Sequence, residues 1–172
     1  EAIIQSLLSE FKEKGVSISL PSLRAKQVVG SLSRTLASLR KTTLTFAPEA
    51  GSERLRRFIG KTWELTELFD VARRAYQAGY RSLKLYFMIG LPTETTADLD
   101  AIADVCVGLS RLKKEVDGHP ARLSVSISNF VPKPYTVFEA DAMAAPDILE
   151  AKQEHLRRLF KKHRGTIELK FH

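Results

Sequence analysis

The side chains of this sequence that could do chemistry sit at the ends, or along one face, of its alternating segments. Glu49 is a carboxylate just beyond the run Thr43–Phe46, placed either to accept hydrogen bonds from a ligand or to face solvent from a loop. Lys61, after Gly60, is a compact ammonium able to pair with a carboxylate, or simply solvated. Gly90, Leu91 and Pro92 make a turn in which glycine permits close backbone approach and proline fixes the exit; a plain strand-ending turn has the same composition. Tyr86 and Met88 project from one face of the preceding strand, with interior packing as the alternative for Tyr86, and Phe130 lies in the stretch 129–132 after a later strand. Taken by themselves, Ser19 reads as a strand hydroxyl and Arg24 as a surface arginine. The segment Ala50-Gly-Ser-Glu-Arg-Leu55 offers a helix start whose free N–H groups could hold an anion.

Other chemistries lose their anchors. G-x-S-x-G, G-x-x-x-x-G-K-[ST] and H-E-x-x-H are absent. Cys106 is the only cysteine, so this chain can form no internal disulfide and no cysteine-based zinc or iron-sulfur site of its own. No metal site is expected within the chain. The net charge of +7, from 27 basic and 20 acidic residues, favours anionic partners. Arg157, Arg158, Lys161, Lys162, His163 and Arg164 concentrate it near the end, either as a solvated helix face or as an RNA-binding surface.

These groups need elements to position them. With 172 residues, 44% hydrophobic, the chain can bury a core as a single α/β domain over 1–172. Helical spacing at Ile3, Ile4, Leu7, Leu8 and Phe11 stops at Gly15, Val16–Leu20 alternates as a strand, and a weaker helix runs through Val28 to Leu39. The strand Thr43–Phe46 ends at Pro48, Ser52 caps a short helix through Phe58, and Gly60 breaks it. A stripe from Leu65 to Ala75 ends at Gly79, and a strand follows over Leu83–Ile89. Thr95 with Asp98 has the form of a capping box before a helix that stops near Gly118. A strand at Leu123–Ile127, a helix from Asp147 to about His163 and a last strand at Ile167–Phe171 complete a regular alternation, the signature of parallel βαβ units.

A parallel sheet covered on both faces should read as continuous apolar runs. Here one strand face carries Ser17 and Ser19, Thr43 and Thr45, Lys84, Tyr86 and Met88, then Ser124, Ser126 and Ser128. In a curled βα sheet this face would line an interior cavity opening at the carboxy ends of the strands; an antiparallel sheet with one wet face would also alternate. Too few strands are present to close an eight-stranded barrel, so the expectation is a partial (βα) barrel, mostly parallel, whose open edge could support a dimer.

Four segments in order, Ser19-Leu-Pro-Ser-Leu-Arg24, Ala47-Pro-Glu-Ala-Gly-Ser52, Gly60-Lys61 and Met88-Ile-Gly-Leu-Pro-Thr-Glu-Thr95, resemble radical S-adenosylmethionine (SAM) enzymes. The resemblance covers about Val16 to Ala140 and is closest to iron-sulfur oxidoreductase-like proteins with an upstream cobalamin-binding-like domain. It implies SAM and a [4Fe-4S] cluster as cofactors of the full-length protein, with a deoxyadenosyl radical as the reactive product. The family's C-x-x-x-C-x-x-C is absent, so the cluster would not be bound by this chain, which alone would be inactive. By the same resemblance Glu49 would bind the ribose hydroxyls, Lys61 the SAM carboxylate, Gly90, Leu91 and Pro92 the adenine region, with Tyr86, Met88, Ser19 and Phe130 bordering the cofactor. A non-catalytic RNA-binding module and a purely structural domain are the alternatives; the substrate is unknown. Because the chain opens on Glu1 within an apolar pattern, it is expected to be part of a longer protein, and the lack of a membrane span or signal peptide places it in the cytoplasm.

Overall fold

The computed structural model describes residues 43–172, together with Ser6 and Glu10. The helices read at 3–11 and 28–39, the strand at 16–20, and with them Ser19 and Arg24, lie outside the described residues.

Four strands, β1 (Thr43–Glu49), β2 (Ser82–Ile89), β3 (Arg122–Asn129) and β4 (Ile167–Phe171), form one parallel sheet whose spatial order follows the chain. Right-handed crossovers that always step in one direction place every connecting helix on the same face. That explains the alternation. Leu44 and Phe46, Leu83 to Ile89 at every second position, Leu123, Val125, Ile127 and Ile167 are buried towards the helices. Opposite them, in register, stand Thr45, Lys84, Ser124 and Glu168, then Tyr86, Ser126 and Lys170. The wet antiparallel sheet is excluded, and the sheet is open rather than closed into a barrel.

The helical layer comprises α1 (Glu53–Phe58), α2 (Leu65–Gln77), α3 (Thr96–Asp117) and α4 (Pro146–Phe160), the last continued by a 3-10 turn at Lys161–His163. Leu68, Val71 and Ala75 of α2, Leu99, Ile102, Cys106 and Leu109 of α3, and Leu149, Leu156 and Phe160 of α4 join the strands in one core. Each large aliphatic side chain so buried contributes about 1.5–3 kcal/mol. Among the described residues no helix is long and apolar enough to cross a membrane.

One boundary differs from the sequence reading. Pro48 does not end β1, which runs on to Glu49 while its register against β2 slips between Phe46 and Glu49. A residue without an N–H is tolerated on an edge strand and at such an irregularity; among the described residues β1 is an edge.

Candidate functional site

The carboxy ends of β1, β2 and β3 converge on a small apolar cluster, separate from the main core, of Ala50, Leu55, Leu91 and Phe130, with Ile59, Met88 and Phe138 packed against it. The loops above it are held from below. A Cβ on Gly51 would lie 2.2 Å from the Ile102 backbone nitrogen, so only glycine lets the turn after β1 rest on α3. Ser52 accepts from the Leu55 N–H at 3.2 Å and donates to the Asp98 carboxylate. Asp98 also accepts from the Thr95 N–H and hydroxyl, both at 2.8 Å, and from Arg54 at 2.5 Å. Burial alone would raise the Asp98 carboxyl, but the bonds from Ser52, Thr95 and Arg54 outweigh it and hold the group down at about 2. At the Gly-Ser helix start Asp98 is held by the Ser52 and Arg54 side chains rather than by free N–H groups, and the N–H of Leu55 is taken by its cap.

Glu49 and Lys61, read from sequence as two independent contacts, meet each other: Lys61 Nζ donates to Glu49 Oε1 at 3.4 Å. Glu49 takes a left-handed backbone, φ 70°, unusual and mildly strained for a residue with a Cβ. Lys61 is presented by a loop tied to α1 at both ends. Its N–H donates to the Arg56 carbonyl at 2.9 Å, and the Leu65 N–H donates to Glu53 Oε1 at 2.6 Å. Arg56, fully buried, lays its guanidinium 3.9 Å from the centre of the Trp63 ring and donates to the Trp63 carbonyl. With side chains 25% and 32% exposed, Glu49 and Lys61 remain approachable.

The Gly90 turn looks the other way. Gly90 has φ 81°, and a Cβ there would lie 2.7 Å from Leu149 Cδ2, so the missing side chain makes room for α4. Its N–H donates at 2.8 Å to Glu94, whose carboxylate accepts from Lys152 of α4 at 2.6 Å. Burial pushes the Glu94 carboxyl up, against the opposing pull of Lys152 and the Gly90 N–H. Leu91 and Phe130 are buried in the small cluster with Met88 beside them, whereas Pro92 is partly exposed. Tyr86 stands half-buried on the polar face with Lys84 Nζ 4.9 Å from its ring centre, a pairing not read from the sequence. The Glu94–Lys152 pair also escaped that reading, since its members lie 58 residues apart.

This arrangement presents a polar sheet face rimmed by one carboxylate and one ammonium. The donor set fits the hydroxyl and carboxylate groups of SAM at Glu49 and Lys61. It does not fit an iron-sulfur cluster: Cys106 is fully buried in the core, where desolvation pushes its thiol up, far from any thiolate ligand. Among the described residues no group of three His, Cys, Asp or Glu could hold a metal ion.

No family model matches the sequence. The chain is similar to an uncharacterized protein of Methanocaldococcus jannaschii, 38% identical over 138 residues that make up 80% of this chain and 29% of that relative. It therefore spans less than a third of the relative's length.

Proposed function

We propose that this chain is the SAM-binding portion of a radical SAM iron-sulfur enzyme. The observation that carries the reading is the Glu49–Lys61 pair, held at the carboxy rim of the polar sheet face with Glu49 in a left-handed backbone. The order of the motifs from Ala47 to Thr95 supports it. In the full-length protein a reduced cluster, ligated by cysteines of another segment, would supply the electron that cleaves the bound sulfonium. The residues here would do the holding. Glu49 accepts from the ribose hydroxyls, Lys61 neutralises the amino-acid carboxylate, and Tyr86 and the β3 serines face the ligand from the sheet.

Titration calorimetry of the full-length protein with SAM tests this. Glu49→Gln keeps the side-chain shape but removes a charged acceptor, a bond worth about 1.5 kcal/mol, and should weaken SAM about tenfold; Lys61→Met should do the same. Absence of SAM binding by the parent protein, or parental affinity in both variants, refutes the proposal.

A further inference from the structure

The outer edge of β4 has no strand beside it among the described residues. The Leu123 N–H donates to the Thr166 carbonyl at 2.8 Å and the His172 N–H to the Ile127 carbonyl at 2.9 Å. Inward bonding thus falls on even-numbered residues, and Ile167, Leu169 and Phe171 turn their backbone N–H and C=O groups outward. A row of backbone groups with no strand partner among the described residues, on an edge that lacks proline, glycine or a bulge, is a template for another strand. Beside it, between β4 and α4, runs a groove of about 380 Å³ lined by the apolar Phe160, Ile167, Leu169 and Phe171 and by the charged Arg157, Arg164 and Glu168.

We propose that a second copy of this chain occupies that edge, β4 pairing with β4 in antiparallel fashion about a twofold axis at Leu169. The sequence of the strand argues for this occupant. Centred on Leu169, the pairing sets outward-bonding residues opposite one another, as the closely spaced bonds of an antiparallel ladder require. It also places Glu168 opposite Lys170 of the second copy, and Lys170 opposite Glu168. Within one chain these two already approach to 3.0 Å while both remain more than half exposed. Shifting the centre by one residue in either direction sets Glu168 against Glu168 or Lys170 against Lys170, so charge disfavours both neighbouring registers. On the helical face Ile167 meets Phe171 and Leu169 meets its twin, covering the apolar lining of the groove.

The helices agree. α4 carries Asp147, Glu150 and Glu154 in its first part, where the one cation, Lys152, is taken by Glu94, and Arg157 and Arg158 at its end, followed by Lys161 and Lys162. A twofold axis at Leu169 runs the two α4 helices antiparallel, acidic beginning beside basic end. An acidic extended peptide would satisfy Arg157 and Arg164 but not Glu168, which is why a second copy is the better match.

Sedimentation equilibrium of the protein measures the result. The parent should show a dimer, Glu168→Lys should raise its dissociation constant about tenfold by turning two attractive cross-strand pairs into repulsive ones, and the exchange E168K/K170E should restore it. Leu169→Cys should link two copies under mild oxidation where the parent protein stays unlinked, since directly opposed Cα atoms in such a pair lie about 5.5 Å apart, within disulfide reach; Cys106 of this chain is buried. A monomeric mass at every concentration, or a dimer indifferent to the charge of residue 168, overturns the proposal.

Discussion

Replacing Asp98 with asparagine puts the network beneath the site to a quantitative test. Asp98 is 3% exposed and accepts from Ser52, Arg54 and both donors of Thr95. Its carboxyl lies at about 2 in the folded protein against an ordinary 3.8, a displacement corresponding to about 2.5 kcal/mol of stability at neutral pH. An independent estimate agrees: loss of a capping box costs about 1 kcal/mol, and loss of a charge-assisted bond to Arg54 about 1.5 kcal/mol. Because the folded value is depressed, this stability is present in full above the unfolded value and drains away as pH falls from about 5 towards 2. Urea titrations of the parent and Asp98→Asn at a series of pH values should therefore show a gap of about 2–3 kcal/mol at pH 7 that closes in acid. A variant within about 0.5 kcal/mol of the parent at pH 7, or a gap that persists undiminished at pH 2, would refute the reasoning.

Two further outcomes separate conformational strain from packing and from reactivity. Gly60 and Gly90 both have left-handed backbones, φ 77° and 81°, but a Cβ at Gly60 meets open space while one at Gly90 meets Leu149. Gly60→Ala should cost about 1 kcal/mol and Gly90→Ala about 2 kcal/mol or more in chemical denaturation, and equal costs would show that the Leu149 contact yields freely. Cys106 is fully buried and its thiol is pushed up by desolvation, so it should ignore a thiol reagent in the folded protein and react promptly in urea; fast labelling under native conditions would contradict the burial.

The elements were largely legible because their signals are local. Ser52 as a cap, the Thr95–Asp98 box and the alternating strands around Leu85, Val125 and Leu169 depend on residues a few positions apart, and the structure forms all of them. The polar strand face was legible too, since alternation survives whichever partner a strand takes. What sequence could not supply was the company each charge keeps. Glu49 with Lys61, Arg54 with Asp98 and Glu94 with Lys152 are joined by the packing of separate elements, across 12, 44 and 58 residues. Gly90 shows the same gap: a turn in which glycine permits close approach was readable, but the helix that makes that approach was not.

A sheet whose spatial order repeats its chain order has a consequence for how the protein is made. Among the described residues β2, β3 and β4 each find a partner in the strand synthesised immediately before, so β1 can pair with β2 before β3 exists, and none of these strands must thread between two already joined. Loop-closure entropy is met in short instalments rather than at the end. The sheet can therefore assemble vectorially on the ribosome, stave by stave, with α2, α3 and α4 sealing each new seam as they emerge.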